Sequence, residues 1–78
     1  MGRAEEWIVV DREVLSGKPI IKGTRISVAF VLQLAASGMS VDDILAGFPH
    51  LSRDGVLAAL EYAARRMEGE EIHVLGAA

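Results

Sequence analysis

The sequence predicts a mainly α-helical domain, a three-helix helix-turn-helix unit preceded by a short extended or β-hairpin segment. Three observations carry this expectation. Apolar residues recur at helical spacing in three blocks between residues 27 and 67. Each block begins at a serine and is punctuated by Gly or Pro. The residues before them are β-branched or broken by Pro and Gly, which suits short extended runs. The chain has 78 residues, 51% of them hydrophobic, and no Cys. That makes one small domain, 1–78, held by aliphatic packing rather than disulfides.

Residues 7–26 form the extended or hairpin part. Trp7-Ile-Val-Val10 is a β-rich run. Asp11 to Lys18 reads as a loop broken at Ser16-Gly17, and Pro19-Ile-Ile-Lys22 as a second run. Gly23 allows a turn before Thr24-Arg25-Ile26. The helical part spans 27–67. Ser27 caps a helix with Val28, Val31, Leu32 and Ala35 on one face, and Gly38 stops it. Ser40-Val-Asp-Asp43 resembles a capping box opening a short helix with Val41, Ile44, Leu45 and Phe48 inward, ended by Pro49. Ser52 caps the third helix, whose predicted buried stripe is Val56, Leu57, Leu60, Ala64 and Met67. Arg53, Asp54 and Ala58 are its early outward positions, with Glu61 and Tyr62 further along. Glu61 and Arg65 are spaced to pair across one turn. Residues 68–78 read as a tail or a short strand at Ile72–Leu75, which echoes the start of the chain and raises the option of pairing between the two ends.

Net charge is −3, which argues against a protein that coats nucleic acid. The charge is polarised, however. Arg12, Lys18, Lys22 and Arg25 against Glu13 leave +3 over residues 12–25. The functional reading is an arm whose Lys18, Lys22 and Arg25 contact phosphates, with Gly23 allowing close backbone approach. The plainer reading is a solvated turn. The spacing does not fit a phosphate-binding P-loop. The third helix is the candidate recognition helix, yet one Arg beside two acids is a poor base-reading set. A trihelical unit that touches no DNA stands beside that reading.

Catalysis is not expected. Asp42, Asp43 and Asp54 sit at helix starts, where capping and dipole effects account for them. His50 and His73 lack partners at triad or metal spacing. No cofactor and no metal are expected. The longest uncharged run, Ile26 to Val41, has 16 residues with several polar ones, which is short for a bilayer span. With no signal-like start, a soluble cytoplasmic protein without a membrane partner is the expectation. Trp7, Ile8, Val9 and Val10 are many apolar atoms for a terminus. They suit either self-packing or a strand shared with another chain.

Four stretches carry a resemblance: Leu15-Ser-Gly-Lys-Pro-Ile-Ile-Lys-Gly-Thr-Arg-Ile-Ser-Val28, Leu34 to Leu45, Phe48-Pro-His-Leu-Ser52 and Ala58 to Ala63. Together they resemble a small prokaryotic family known as domain of unknown function four-three-three, over about residues 8 to 64. The resemblance implies a helix-turn-helix fold classed with winged-helix-like DNA-binding domains. It also implies a VapB-type antitoxin encoded beside a PIN-like nuclease toxin. The pattern falls on Gly17, Lys18, Pro19, Gly23, Thr24 and Arg25, then on Gly38, Pro49 and Leu51. Arg12 stands where the family commonly has Pro, and Gly55 where a helix-favouring residue is more usual.

The expected function is therefore an antitoxin-like, dimeric DNA-binding protein that neutralises its nuclease and regulates its own operator. Neutralisation would be steric, or a basic side chain would enter the nuclease's acidic metal site. Lys18, Lys22, Thr24, Arg25, Ser52 and Arg53 form the candidate DNA-binding set. Trp7, Ile8, Val9, Val10, Ile72 and Val74 form the candidate partner or dimer set. A stand-alone transcriptional regulator and a protein-interaction module without DNA binding are the alternatives. For the groove-reading pair, the helices joined at Pro49 are favoured over those joined at Gly38.

Overall fold

A computed structural model of the chain describes residues 3–68. In chain order it contains α1 (Arg3–Trp7), β1 (Ile8–Val10), a 3-10 turn (Leu15–Gly17), β2 (Pro19–Ile21), α2 (Val28–Ala36), α3 (Val41–Gly47) and α4 (Arg53–Glu68). The mainly helical class with an N-terminal hairpin is the predicted one. The expected strand at 72–75 lies outside the described residues.

β1 and β2 pair antiparallel, with Ile8 opposite Ile21, Val9 opposite Ile20 and Val10 opposite Pro19. Pro19 opens its strand, the position where a missing N–H does least harm. The Lys22 N–H donates to the Trp7 carbonyl at 2.7 Å and extends the ladder by one step. On its other edge β2 meets the returning chain: the Ile21 N–H donates to the Ile26 carbonyl at 3.0 Å, and Ile20 bridges Ser27. β2 is thus flanked on both edges, and both Ile20 and Ile21 are buried. The connection into β2 is a left-handed turn. Leu15, Ser16 and Gly17 have φ of 50°, 58° and 84°. Only glycine adopts that region without cost, so Leu15 and Ser16 each hold strain of about 1–2 kcal/mol.

The helices start and stop where their local chemistry requires. Ser27 accepts the Phe30 N–H at 3.0 Å. Gly38, at φ 103°, closes α2 in a Schellman motif, with Gly38 N–H on the Ala35 carbonyl and Met39 N–H on the Leu34 carbonyl. Ser40 and Asp43 form a reciprocal capping box, at 2.9 and 3.1 Å. Ser52 accepts the Gly55 N–H at 3.0 Å. α2 and α3 cross at 117° through a four-residue turn, Ser37–Ser40. That angle and turn length are in the range of helix-turn-helix pairs. No single described helix is long and apolar enough to cross a membrane.

α4 is the axis, touching both strands and all three other helices. Ile21, Val31, Ile44 and Val56 are the largest fully buried side chains, one from each element that meets at the centre. Three expectations need correction. Trp7 ends a helix rather than starting a strand. Residues 3–7 make one short turn whose Ala4 N–H donates to the Glu61 carboxylate at 3.1 Å, so tertiary contact with α4 sustains it. On α2, Leu32 is 39% exposed while Leu34 packs on the core, because Val28-Ala-Phe-Val-Leu offers apolar residues all round. On α4, Ala58 is 0% exposed, whereas Ala64 and Met67 are exposed. α4 is covered from several sides near its start and uncovered at its end, so a single stripe describes it poorly.

Gly55 has a structural reason. A Cβ there would lie 3.1 Å from Ile21 Cγ2 and 3.7 Å from the Trp7 ring. Glycine lets Ile21 of the hairpin close onto α4. Gly55→Val should therefore overpack a fixed site and destabilise the domain by about 1–3 kcal/mol, read as a lower urea midpoint. The backbone and hydroxyl of Ser40 hold the Asp43 carboxyl below its ordinary value. Its contribution to stability is complete above the usual carboxylate range and is lost as pH falls through the lowered folded value. Asp43→Asn should be less stable than the parent at neutral pH, with the gap closing in acid, as measured by thermal melts across pH.

Candidate functional site

The most distinctive local geometry surrounds β2. The left-handed turn leads directly into Lys18, and Gly23, at φ 80°, sits in the tight loop that follows. That loop, Lys22-Gly-Thr-Arg25, is braced by Thr24. Its N–H and hydroxyl both donate to the Ile21 carbonyl, at 3.0 and 2.8 Å, and its hydroxyl oxygen accepts the Ile26 N–H at 2.9 Å. Thr24 therefore organises the loop, and its hydroxyl hydrogen is already committed. Lys22 and Arg25 stand exposed at the two ends of the loop, and Lys18 is exposed ahead of β2. None of the three is in an ion pair among the described residues. Strained backbone is found where a structure must hold a particular presentation. Here the left-handed turn Leu15–Gly17 leads into Lys18, and Gly23, at positive φ, follows Lys22 in the loop that ends at Arg25.

The start of α4 is arranged differently. The Ser52 hydroxyl is occupied as the cap. Arg53 donates to the Asp42 carboxylate of α3, an exposed pair that ties the two helix starts together. Asp43 and Asp54 are also exposed there. The surface around Arg53 is thus acidic, and Ala58, placed outward by the sequence reading, is inside the core. Ser52 and Arg53 are spent on structure. Between the two candidate helix pairs, the Gly38 pair has the shorter turn, four residues against five at Pro49.

The N-terminal apolar set divides. Trp7 and Ile8 are half-buried, Trp7 near Gly55 and Ile8 against the core. Val9 and Val10 are exposed, Val10 at 61%. Since Trp7 and Lys22 are a hydrogen-bonded pair, antiparallel alternation turns the backbone groups of Ile8 and Val10 away from β2. Among the described residues no strand pairs that outer edge of β1, where Val9 and Val10 are exposed. Ile72 and Val74 lie outside the described residues.

Two grooves escaped the sequence reading. One, of about 420 Å³, lies between β2, α2 and the last turns of α4, and Leu32, Met67, Lys18 and Arg66 are among its lining residues. The other, about 310 Å³, runs between α1 and α4 past Ala4, Ile8 and Arg65. Tyr62 and Arg66 line both. The Arg66 guanidinium lies over the Tyr62 ring, 5.9 Å from its centre. The four-residue spacing of Tyr62 and Arg66 was a usable signal. The exposure of Leu32 was not, because nothing local distinguishes it from its buried neighbours. Among the described residues no group of three or more His, Cys, Asp or Glu is placed to hold a metal ion.

Comparison with known proteins gives three findings. The sequence pattern of a family described as a protein of unknown function, DUF433, matches residues 8–63. An uncharacterised protein of Sinorhizobium fredii, y4eO, is 32% identical over 63 residues, which is 81% of this chain and 28% of that protein. The chain thus spans little more than a quarter of that relative's length. The crystal structure of a DUF433 member from Anabaena variabilis superposes with a TM-score of 0.73 at 28% identity, covering 78% of this chain and 60% of that one. The matched region contains the hairpin, the strained turn, the cation loop, both interhelical turns and α4 as far as Ala63, and on that ground the chain belongs to the DUF433 family.

Proposed function

We propose that this chain is an antitoxin-like binding protein that contacts operator DNA through its hairpin cations and holds a PIN-like nuclease as its protein partner. The observation that carries the DNA part is the exposed trio of Lys18, ahead of β2, and Lys22 and Arg25 on the braced loop, none of them in an ion pair among the described residues. Cations without a carboxylate partner are the ones that release counterions when they meet phosphate. The braced loop fixes the backbone that carries Lys22 and Arg25, which lowers the ordering cost of binding. The 117° crossing of α2 and α3 is consistent with a helix-turn-helix frame behind them. Sequence reading by the start of α4 has little support, since Arg53 is held by Asp42. These contacts are positioning contacts. The outer edge of β1, with Val9 and Val10, suits a second copy of the chain or the nuclease by strand addition.

A second reading, a protein-interaction module that binds no nucleic acid, is favoured by the acidic surface of Asp42, Asp43 and Asp54 around Arg53. One titration separates the two. Binding of the chain to duplex DNA from its own upstream region is followed by fluorescence anisotropy over a range of salt concentrations. Lys22→Ala combined with Arg25→Ala should weaken binding and reduce the slope of log affinity against log salt by roughly 2. An unchanged slope removes the hairpin from the interface. No binding even at low salt leaves the interaction module standing.

A further inference from the structure

The groove between β2, α2 and the end of α4 combines two kinds of surface. Val28, Leu32, Ala63 and Met67 give it apolar walls, and Leu32 and Met67 are 39% and 47% exposed. Its polar side chains are Lys18, Ser27, Tyr62 and Arg66. All four carry a hydrogen-bond donor, and among the described lining residues none is a carboxylate. The Ser27 hydroxyl accepts the Phe30 N–H, so its own hydrogen can still donate. Neither Lys18 nor Arg66 is in an ion pair among the described residues. Charge and hydrogen bonding therefore select an anionic acceptor group, and the walls select an apolar body. The dimensions select a small molecule. The groove holds about 420 Å³, inside the range of about 300–1,000 Å³ common for small-molecule sites. Its wall on α4, Tyr62 to Met67, rises about 8 Å, and its wall on α2, Val28 to Leu32, about 6 Å. A partner helix anchored at i, i+4 and i+7 needs about 10 Å of groove.

We propose that this groove binds a small amphipathic carboxylate, with its apolar body against Leu32, Ala63 and Met67 and its carboxylate held by Lys18 and Arg66. The guanidinium fork can bond both carboxylate oxygens, and the ammonium adds a point charge beside them. Lys18 also belongs to the hairpin trio, so an occupied groove competes with phosphate for that residue. The site itself does not depend on DNA or nuclease binding.

Hexanoate is the probe and hexanamide its neutral counterpart, each titrated into the whole methyl-labelled chain and followed by NMR. Hexanoate should shift the methyl signals of Val28, Leu32, Ala63 and Met67 saturably, while those of the fully buried Ile44 stay in place. It should bind roughly fivefold more tightly than hexanamide, the size of one exposed ion pair. Lys18→Gln with Arg66→Gln, both at exposed positions, should erase that preference. Leu32→Gln, also exposed, should weaken both probes. The Ile44 signals, compared with the parent's, report whether each variant is folded. Groove methyls that do not move, or that move together with Ile44 and never saturate, would overturn the proposal. Equal affinity of the parent for hexanoate and hexanamide would do the same, since the surface would then be apolar without an anion site. Groove signals that shift with chain concentration alone would also overturn it, because the occupant would then be a second copy.

Discussion

The close approach of Ile21 and Trp7 to Gly55 is the contact on which the rest of the structure depends. β2 is three residues long, too short to persist without support. It holds because β1 pairs one edge, Ile26 and Ser27 pair the other, and Ile21 is pressed into the core beside a helix that lacks a side chain at that point. Trp7 packs at ordinary contact distance beside it, and Ala4 donates to Glu61, so α1 lies on α4. One missing Cβ thus admits the strand that leads into the cation loop, with Trp7 of α1 packed beside it. Gly55 looks like a defect on the scale of helix propensity. In the packed structure it is the place where three elements converge.

What could be read from the sequence is what local chemistry decides. The caps at Ser27, Ser40 and Ser52, the stop at Gly38 and the break at Pro49 each depend on a few neighbouring residues, and all lie where expected. The hairpin was legible for the same reason. α1 was not, because five residues do not sustain a helix by propensity and the contact that holds it comes from Glu61, 57 positions away. The burial of Ala58 and the exposure of Leu32 were missed because periodicity assumes one buried face. α4 is enclosed at its start, and α2 is apolar on every side.

The candidate site shows the same division. That Lys18, Lys22 and Arg25 cluster on a turn is plain from their spacing. That Arg53 is neutralised by Asp42 is not, since the partners are 11 residues apart and on different helices. Charge can be counted along a chain, but its availability depends on which carboxylate the fold brings near. Thr24 makes the point from the polar side. It sits in the distinctive Gly-Thr-Arg run and looks like a contact residue, yet its one hydroxyl hydrogen is already used in closing the loop. The grooves depend on α2, α4 and the N-terminal turn together, so no single segment announces them.

The stacking of Arg66 on Tyr62 has a consequence for how the two faces of α4 communicate. Both side chains line the groove toward α2 and the groove toward α1. They form a shared wall, and a flexible guanidinium cannot serve two ligands in two rotamers at once. A ligand that draws Arg66 away from the ring on one face alters the shape and charge offered on the other. Thermodynamic reciprocity then requires an equal effect in the opposite direction. Any ligand that bound one groove by turning Arg66 off the Tyr62 ring would in this way be linked to binding at the other, with one arginine rotamer as the shared variable.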